Sequence, residues 1–324
     1  MVLALAAGLG NHAITRIMGS IRKGSVHLFR FAGVDVFLHW SWFLVALFEI
    51  NARSGRYSSV VWNAIEYLAL FAIVLLHEYG HALACRQVGG TADHIVLWPL
   101  GGVAYVDPPQ RPGATLWSIA AGPLVNVVLL VLVQMLGVAG RSAGLWAAMP
   151  DVHALLRALW YINFGLLIFN LLPIYPLDGG QILRSLLWFP LGRARSLMAA
   201  TIVGFVGVLG LIFLAAWIHS LWFAILSVFI LMNCWAGLRQ AQALSRLAKL
   251  PRHPGFACPD CKSSPPVGNF WKCATCGAAF DTFQTQAVCP QCSTRFPVTI
   301  CLDCRRLHPL DEWIVRSTVA AAQL

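Results

Sequence analysis

Long apolar stretches separated by short polar segments occupy most of the first 240 residues. Six of these stretches are predicted membrane spans, and they lie near residues 36–50, 60–84, 115–139, 156–175, 197–217 and 220–238. A helix that crosses a bilayer needs about 20 predominantly apolar residues, so the first span is short. The pattern predicts a polytopic α-helical membrane protein with about six transmembrane helices.

Composition and charge support this prediction. Of the 324 residues 58% are hydrophobic and 11% are charged, whereas soluble domains carry about 25% charged residues. The net charge of +10 is interpreted as basic cytoplasmic loops, and no nucleic-acid partner is expected. With an inner N-terminus, the only basic residues in the outer loops are Arg53, Arg56, Arg141 and Arg157. Both termini are therefore expected to be cytoplasmic, with the lipid bilayer around the spans.

The chain changes character near residue 250, where a short segment is rich in proline and glycine. Beyond it the sequence is polar, has paired cysteines and contains no candidate span. The expected organisation is a cytoplasmic extension (1–30), a membrane domain (31–240), a linker (241–256), a cysteine-rich domain (257–310) and a tail (311–324). Whether residues 1–17 are ordered stays open.

A cluster of ionisable residues interrupts the second span. His77 and His81 are four residues apart, so on a helix they share one face and can bind one Zn²⁺, with Glu78 placed as general base. An ionisable residue inside a membrane span costs at least about 2.5–3.5 kcal/mol, and a bound metal would offset that cost. The alternative is a chance match on an ordinary helix.

A catalytic zinc needs a third protein ligand and an open position for water. Most acidic residues of the membrane part lie in loops, at span ends or toward the outer side. Asp178 follows the fourth span and reaches the same side as the histidines, within the sequence Asn170-Leu-Leu-Pro-Ile-Tyr-Pro-Leu-Asp-Gly-Gly180. We expect Pro173 and Pro176 to stop the helix, and Gly179-Gly180 to permit tight backbone turns. The alternative for Asp178 is a capping residue in a loop.

Together these motifs resemble the site-2 protease family of intramembrane zinc metalloproteases. The His-Glu-x-x-His helix and the Asn-x-x-Pro-x-x-Pro-Leu-Asp-Gly-Gly stretch match its two signatures in the right order. Ala121–Asn126 resembles its Gly-Pro-x-x-Asn segment, and Leu97–Ala104 resembles its membrane-associated β-hairpin. The resemblance covers about residues 30–240.

The resemblance implies roles for individual residues. His77, His81 and Asp178 would be the zinc ligands. The residues near the substrate would be Asn126, Asn170, Gly101 and Gly102, which steady its carbonyl or position the loops. We also expect residues 95–106 to present a strand edge to an extended substrate, and proline at Val103 or Tyr105 to disrupt that pairing. His39 also resembles a family residue, but a core or interfacial role is favoured.

The tail has four Cys-x-x-Cys pairs, which suffice for two structural Cys₄ zinc sites. They are Cys258/Cys261, Cys273/Cys276, Cys289/Cys292 and Cys301/Cys304. Sequential pairing would give two zinc ribbons, and interleaved pairing stays open. Disulfides are the competing interpretation, disfavoured in a reducing cytoplasm. The expected role of this domain is recognition of a protein partner or regulator.

The sequence therefore favours an intramembrane zinc endopeptidase that cuts transmembrane protein substrates, with one catalytic and two structural zinc ions. The alternative is a membrane protein that binds zinc or a client helix without cutting it. An intact Glu78 argues against that alternative, because binding a metal requires no base. The sequence does not give the substrate, the cleavage position, the regulatory trigger or the oligomeric state.

Overall fold

The computed structural model describes residues 24–52, 55–98, 101–304 and 306–315. The chain forms two compact units, Met1–Gln242 and Ala243–Leu324. The expectation for residues 1–17 lies outside the described residues, as does most of the predicted tail 311–324. The first strand begins at Ser25, which is inside the predicted N-terminal extension 1–30.

The described part of the first unit is mainly helical. Its helices are α1 (Ser41–Ala52), α2 (Val60–Gln87), α3 (Pro112–Ser142), α4 (Pro150–Leu171), α5 (Asp178–Trp217) and α6 (Leu221–Ala248). Within the described residues, the five from α2 to α6 are long and apolar enough to cross a membrane. The chain is therefore an integral membrane protein. Helix α6 extends through the first half of the segment predicted as a linker.

Helix α5 is longer than the predicted fifth span because it begins at Asp178. Its 40 residues contain a kink at Gly192, whose φ of +76° is left-handed. Glycine tolerates this conformation because it has no Cβ. The prediction of tight turns at Gly179-Gly180 was wrong, since both residues are helical and buried. Helix α4 ends at Leu171, just before Pro173 and Pro176, and the new helix starts at Asp178.

A four-stranded sheet lies beside α2. Its strands are β1 (Ser25–Phe31), β2 (Val34–His39), β3 (Thr91–Trp98) and β4 (Gly101–Asp107), in the spatial order β1-β2-β3-β4. Strands β2 and β3 are parallel, and the other two pairs are antiparallel. The hairpin implied by the resemblance is β3–β4, within a larger sheet. His39 stacks on Trp98 with ring centroids 4.5 Å apart, which fits the favoured core role.

The segment containing β2 and α1 runs along α2 from its C-terminal end toward its N-terminal half. Arg86, in the last turn of α2, donates from Nη2 to the Gly33 carbonyl at 2.9 Å. Farther up α2, the Tyr67 hydroxyl donates to the Trp42 carbonyl at 2.7 Å. The predicted span 36–50 therefore corresponds to the end of β2 followed by a short helix. This explains how about six predicted crossings appear as five long helices.

The membrane unit packs small and polar residues inward and apolar residues outward. On α3, Ser118, Gly122 and Asn126 are buried, whereas Val128 and Leu132 are more than half exposed. Such packing is expected where lipid is the solvent, because small residues let helices approach closely and polar groups find partners inside the protein. The inward face of α3 is also the face that meets the histidines of α2.

The second unit is small and has two short hairpins. They are β5 (Trp271–Lys272) with β6 (Ala279–Phe280), and β7 (Val298–Ile300) with β8 (Leu307–Pro309). Its buried core contains Trp271, Phe280, Phe283, Trp313 and several cysteines. The indole Nε1–H of Trp271 donates to the Ile300 carbonyl at 3.2 Å, so a hydrogen bond joins the hairpins. Both therefore belong to one folded domain.

Asp281 organises the loop after β6. Its side chain is 1% exposed, and it accepts hydrogen bonds from the Gly268 N–H at 2.7 Å and the Phe283 N–H at 3.0 Å. Its Oδ2 also lies 2.8 Å from His253 Nε2. Burial raises the pKa of Asp281, but these hydrogen bonds outweigh burial and leave the pKa below its ordinary value. The ionised carboxylate therefore stabilises the domain at neutral pH.

Candidate metal centre and active site

Three donor atoms from helices α2 and α5 converge on one point. The Nε2 atoms of His77 and His81 are 3.1 Å apart, and Asp178 Oδ2 lies 3.1 Å from the first and 3.3 Å from the second. All three residues are at least 94% buried, with exposures of 6%, 6% and 3%. A tetrahedral zinc with bonds of about 2.0–2.2 Å requires ligand atoms about 3.4 Å apart. The donor set fits a zinc ion in both chemistry and spacing.

The other nitrogen of each imidazole is occupied by a neighbouring acceptor. His77 Nδ1 lies 2.9 Å from Asn126 Oδ1, and His81 Nδ1 lies 2.9 Å from the Ser118 carbonyl. A carbonyl oxygen can only accept, so each Nδ1 carries the proton and each Nε2 keeps its lone pair for a metal. Helix α3 thus sets the tautomer of both histidines.

Helix α3 can approach the histidines because Gly122 has no side chain. A Cβ at this position would overlap His81 Nε2 and His77 Cε1. Gly80 has the matching role on α2, since a Cβ there would meet the Ala121 carbonyl at 2.8 Å. Neither glycine requires a special backbone conformation. Both are close-approach positions that the sequence analysis did not assign.

Asp178 is held at the start of α5 by a tightly packed turn. A Cβ on Gly179 would overlap the Leu171 carbonyl, and a Cβ on Gly180 would overlap the Tyr175 backbone. The two glycines let the end of α4 pack directly against the first turn of α5. Close packing, rather than turn geometry, is therefore the reason for glycine next to Asp178.

Glu78 points away from the histidines' partners on α3 and toward β4. Its Oε2 accepts a hydrogen bond from the Ala104 N–H at 2.7 Å, and the side chain is 6% exposed. A Cβ on Gly102 would overlap the Glu78 side chain, so this glycine lets the strand lie against it. Gly101 precedes it with a φ of +133°. Gly102 therefore adjoins the candidate base, whereas a Cβ on Gly101 would meet nothing within 4 Å.

The two asparagines singled out by the sequence differ in position. Asn126 is fully buried and contacts His77, whereas Asn170 is half-buried in the last turn of α4 and is not among the hydrogen-bond partners of the donor set. A third asparagine was missed: Asn163, also fully buried, donates from Nδ2 to the Asn126 carbonyl at 2.8 Å. Its signal was an amide side chain within the apolar fourth span, which also contains Asn170.

The eight tail cysteines form two groups of four. One group contains Cys258, Cys261, Cys301 and Cys304, and the other contains Cys273, Cys276, Cys289 and Cys292. In each group the four sulfur atoms lie within 4.8 Å of one another. Zinc–sulfur bonds of about 2.3 Å require sulfurs about 3.8 Å apart in a tetrahedron, so each group fits a Cys₄ zinc site.

The sequence left the zinc pairing open, and the structure does not have the sequential pairing that would give two zinc ribbons. The first Cys-x-x-Cys pair meets the fourth, with Cys258 and Cys304 sulfurs 3.5 Å apart, and the second pair meets the third, with Cys273 and Cys292 sulfurs 3.5 Å apart. The arrangement is nested because the two hairpins share one core, which brings the outer pairs together around the inner ones. Four thiols converging on one point favour a metal over disulfides, and all eight are free.

Residues 65–143 and 137–215 match the family described as Peptidase family M50. A zinc metalloprotease of Methanocaldococcus jannaschii is 34% identical over 184 residues, which are 56% of this chain and 50% of that protein. Stage IV sporulation protein FB of Bacillus subtilis is 31% identical over 195 residues, 58% of this chain and 64% of that protein. A solved site-2 protease from M. jannaschii is 25% identical, with a TM-score of 0.47 over 66% of this chain and 95% of that chain.

The M50 match thus covers residues 65–215 of the membrane unit. The matched residues include the candidate ligands and Glu78, and they end before the cysteine-rich unit. The chain spans about half the length of the first of these relatives, so the likeness is reported for the membrane unit. In this chain, contacts from α3 to the histidines and from β4 to Glu78 complete the site, and the sequence motifs alone do not specify these contacts.

Proposed function

We propose that this chain is an intramembrane zinc metalloendopeptidase that hydrolyses peptide bonds in or near the transmembrane segments of other proteins. The observation that carries the proposal is the triangle of His77 Nε2, His81 Nε2 and Asp178 Oδ2, with sides of 3.1–3.3 Å, on residues buried within a membrane protein. The M50 family match and the zinc metalloprotease relatives support it.

His77, His81 and Asp178 would hold the catalytic zinc, which supplies a Lewis acid and an activated water when bound. Glu78 would take the proton of the attacking water and deliver it to the leaving amine. The Nδ2 of Asn126 is buried and has no hydrogen-bond partner in the described part of the chain, so it is available to a substrate carbonyl. We assign it that role. For Asn170, we propose support of the loop before Asp178.

The substrate would bind as an extended strand, because helical carbonyls are already hydrogen-bonded. In the described sheet β4 has β3 on one side, so its other side is an edge for strand addition. The Ala104 N–H points to Glu78 and not to β3. Because backbone groups alternate in direction along a strand, the N–H groups of Ala104 and Gly102 point to the open edge, whereas those of Val103 and Tyr105 point to β3. Proline at Val103 or Tyr105 would therefore break the β3–β4 ladder and does not test substrate pairing.

The edge can be tested at Gly102 by replacing its N–H with an ester oxygen. We expect glycolic acid at this position to raise KM for a transmembrane substrate several-fold with kcat retained, because one substrate hydrogen bond is lost. An unchanged KM would contradict strand addition at this edge without contradicting proteolysis.

The proposed reaction is tested by Glu78→Gln in the full-length protein in detergent or liposomes. We expect cleavage of a model single-span substrate to fall at least about 100-fold, as loss of a general base typically does, with zinc content unchanged. The control is Glu66→Gln, the same substitution at another position on α2. Glu66 pairs with Arg56, so cleavage should persist in this variant. Equal cleavage by wild type and Glu78→Gln would favour the alternative, a non-cleaving zinc- or client-binding protein.

We further propose that both termini are cytoplasmic and that the cysteine-rich unit holds two structural zinc ions. Its four thiolates per site would leave no open position for chemistry. Such a domain is suited to recognising a protein regulator or the cytoplasmic part of a substrate. Zinc analysis of the full chain should then give three ions per molecule.

A further inference from the structure

The candidate base, Glu78, is hydrogen-bonded to the open edge of strand β4. Ala104 directs its N–H to Glu78 Oε2 at 2.7 Å, so this group takes no part in the ladder with β3. Its strand neighbour Val103 faces the opposite way and pairs with Val96. At Ala104 the Glu78 carboxylate thus occupies the place that a further strand would take.

The contact is built into the packing of β4 against α2. Gly102, two residues earlier on the same edge, lacks the Cβ that would overlap Glu78. Glu78 itself is 6% exposed, so water does not compete freely for its oxygens. A buried carboxylate that accepts a charge-assisted hydrogen bond from a rigid backbone donor has its position fixed.

We propose that the Ala104 N–H is a positioning group for Glu78, and that it also ends the edge available to a substrate strand. This inference rests on the proposed function. The donor holds one carboxylate oxygen and leaves the other for the proton transfer. A substrate strand can pair at Gly102, but at Ala104 it meets the carboxylate of the enzyme. The substrate backbone therefore leaves the ladder beside the base.

The N–H can be removed alone by incorporating lactic acid in place of Ala104, which substitutes an ester oxygen and adds no bulk. We expect kcat to fall about 10- to 100-fold, the range typical when a hydrogen bond that orients a group of the site is lost, with KM and zinc content unchanged. The matched control is the ester analogue of valine at Val103, which removes a ladder N–H and should leave kcat within about twofold. A kcat at Ala104 that is unchanged or raised, or an equal fall at Val103, would overturn the proposal.

A second readout does not depend on cleavage. In the zinc-free chain, hydrogen exchange of the Ala104 amide should be slow in wild type and in Glu78→Gln, whose side-chain oxygen still accepts. It should be at least about tenfold faster in Glu78→Ala, because an edge N–H without an acceptor is open to exchange. Equal exchange in all three proteins would refute the contact. Slow exchange in a chain that cuts no substrate would refute the proteolytic function and leave the contact standing.

Discussion

Gly122 determines how closely two helices approach the metal centre. The absent side chain lets α3 bring the Ser118 carbonyl and the Asn126 amide within hydrogen-bond distance of the histidines. Its neighbours in the Gly-Pro-x-x-Asn segment were quoted for their resemblance, yet no sequence rule distinguished a packing glycine from any other. The contact that makes it necessary comes from α2, which is distant in sequence.

We predict that Gly122→Ala weakens zinc binding at the catalytic site at least about tenfold, because the added methyl group displaces both imidazoles. Gly137→Ala is the matched control on the same helix, since a Cβ there meets nothing within 4 Å. Zinc titration of purified variants, with the cysteine sites counted separately, measures the difference. Equal zinc affinities of the two variants would mean that α3 shifts to accommodate the methyl group without displacing the ligands.

In the second unit, a single buried side chain, Asp281, holds the loop after β6 in place. Its lowered pKa means that its stabilisation is present above the unfolded pKa of about 3.9 and is lost as the pH falls through the lower folded value. We predict that Asp281→Asn destabilises this unit by about 1–3 kcal/mol at pH 7, because an amide nitrogen cannot accept the Gly268 N–H. Urea-induced zinc release measures this. Asp303→Asn, which alters a half-exposed pair with Arg252, should cost under about 1 kcal/mol.

At the scale of elements, the nested cysteine pairs show the limit of spacing rules. Every Cys-x-x-Cys pair was evident in the sequence, but any two pairs can share an ion. The shorter inner loop, from Cys276 to Cys289, closes at a lower entropic cost than the outer loop from Cys261 to Cys301. Packing of the two hairpins on Trp271 and Trp313 then brings the outer pairs together.

Removing pairs in combination distinguishes the two arrangements. If Cys258/Cys261 and Cys301/Cys304 are changed to serine together, the nested arrangement predicts loss of one structural zinc, whereas sequential pairing predicts loss of both. The complementary variant removes the first pair with Cys273/Cys276, and here nesting predicts loss of both ions. Zinc-to-protein ratios of the full chain measure the outcome, and the reverse result would reject the nested sites.

For the whole molecule, the path of the chain decides the number of crossings. Strand β2 pairs with β3 at the C-terminal end of α2, but α2 begins about 42 Å away at Val60, given its 28 residues. The segment with β2 and α1 must therefore cover that length. If this segment crosses as well, six crossings put both termini on one side, as proposed above.

We predict that tags at the N- and C-termini are digested together in inside-out membrane vesicles and are both protected in right-side-out vesicles. A tag in the α3–α4 loop near residue 145 should show the opposite pattern. Helix α3 crosses the membrane once between the proposed cytoplasmic side, where it begins, and this loop. Protease protection followed by immunoblotting measures this. Termini on opposite sides would mean that residues 34–52 do not cross.

The sequence by itself determined the membrane character, the paired cysteines and the donors His77, His81 and Asp178 with their neighbour Glu78. His77, Glu78 and His81 follow from local composition and spacing, because hydropathy and i, i+4 geometry act within one segment. Asp178 was singled out because it is the acidic residue expected on the same side of the membrane as the histidines. Only the tertiary structure decided which groups complete the site: Ser118, Asn126 and Asn163 behind the histidines, and Ala104 on the base. It also decided how the cysteine pairs combine. Such contacts join segments far apart in sequence, and close packing of helices and strands selects them.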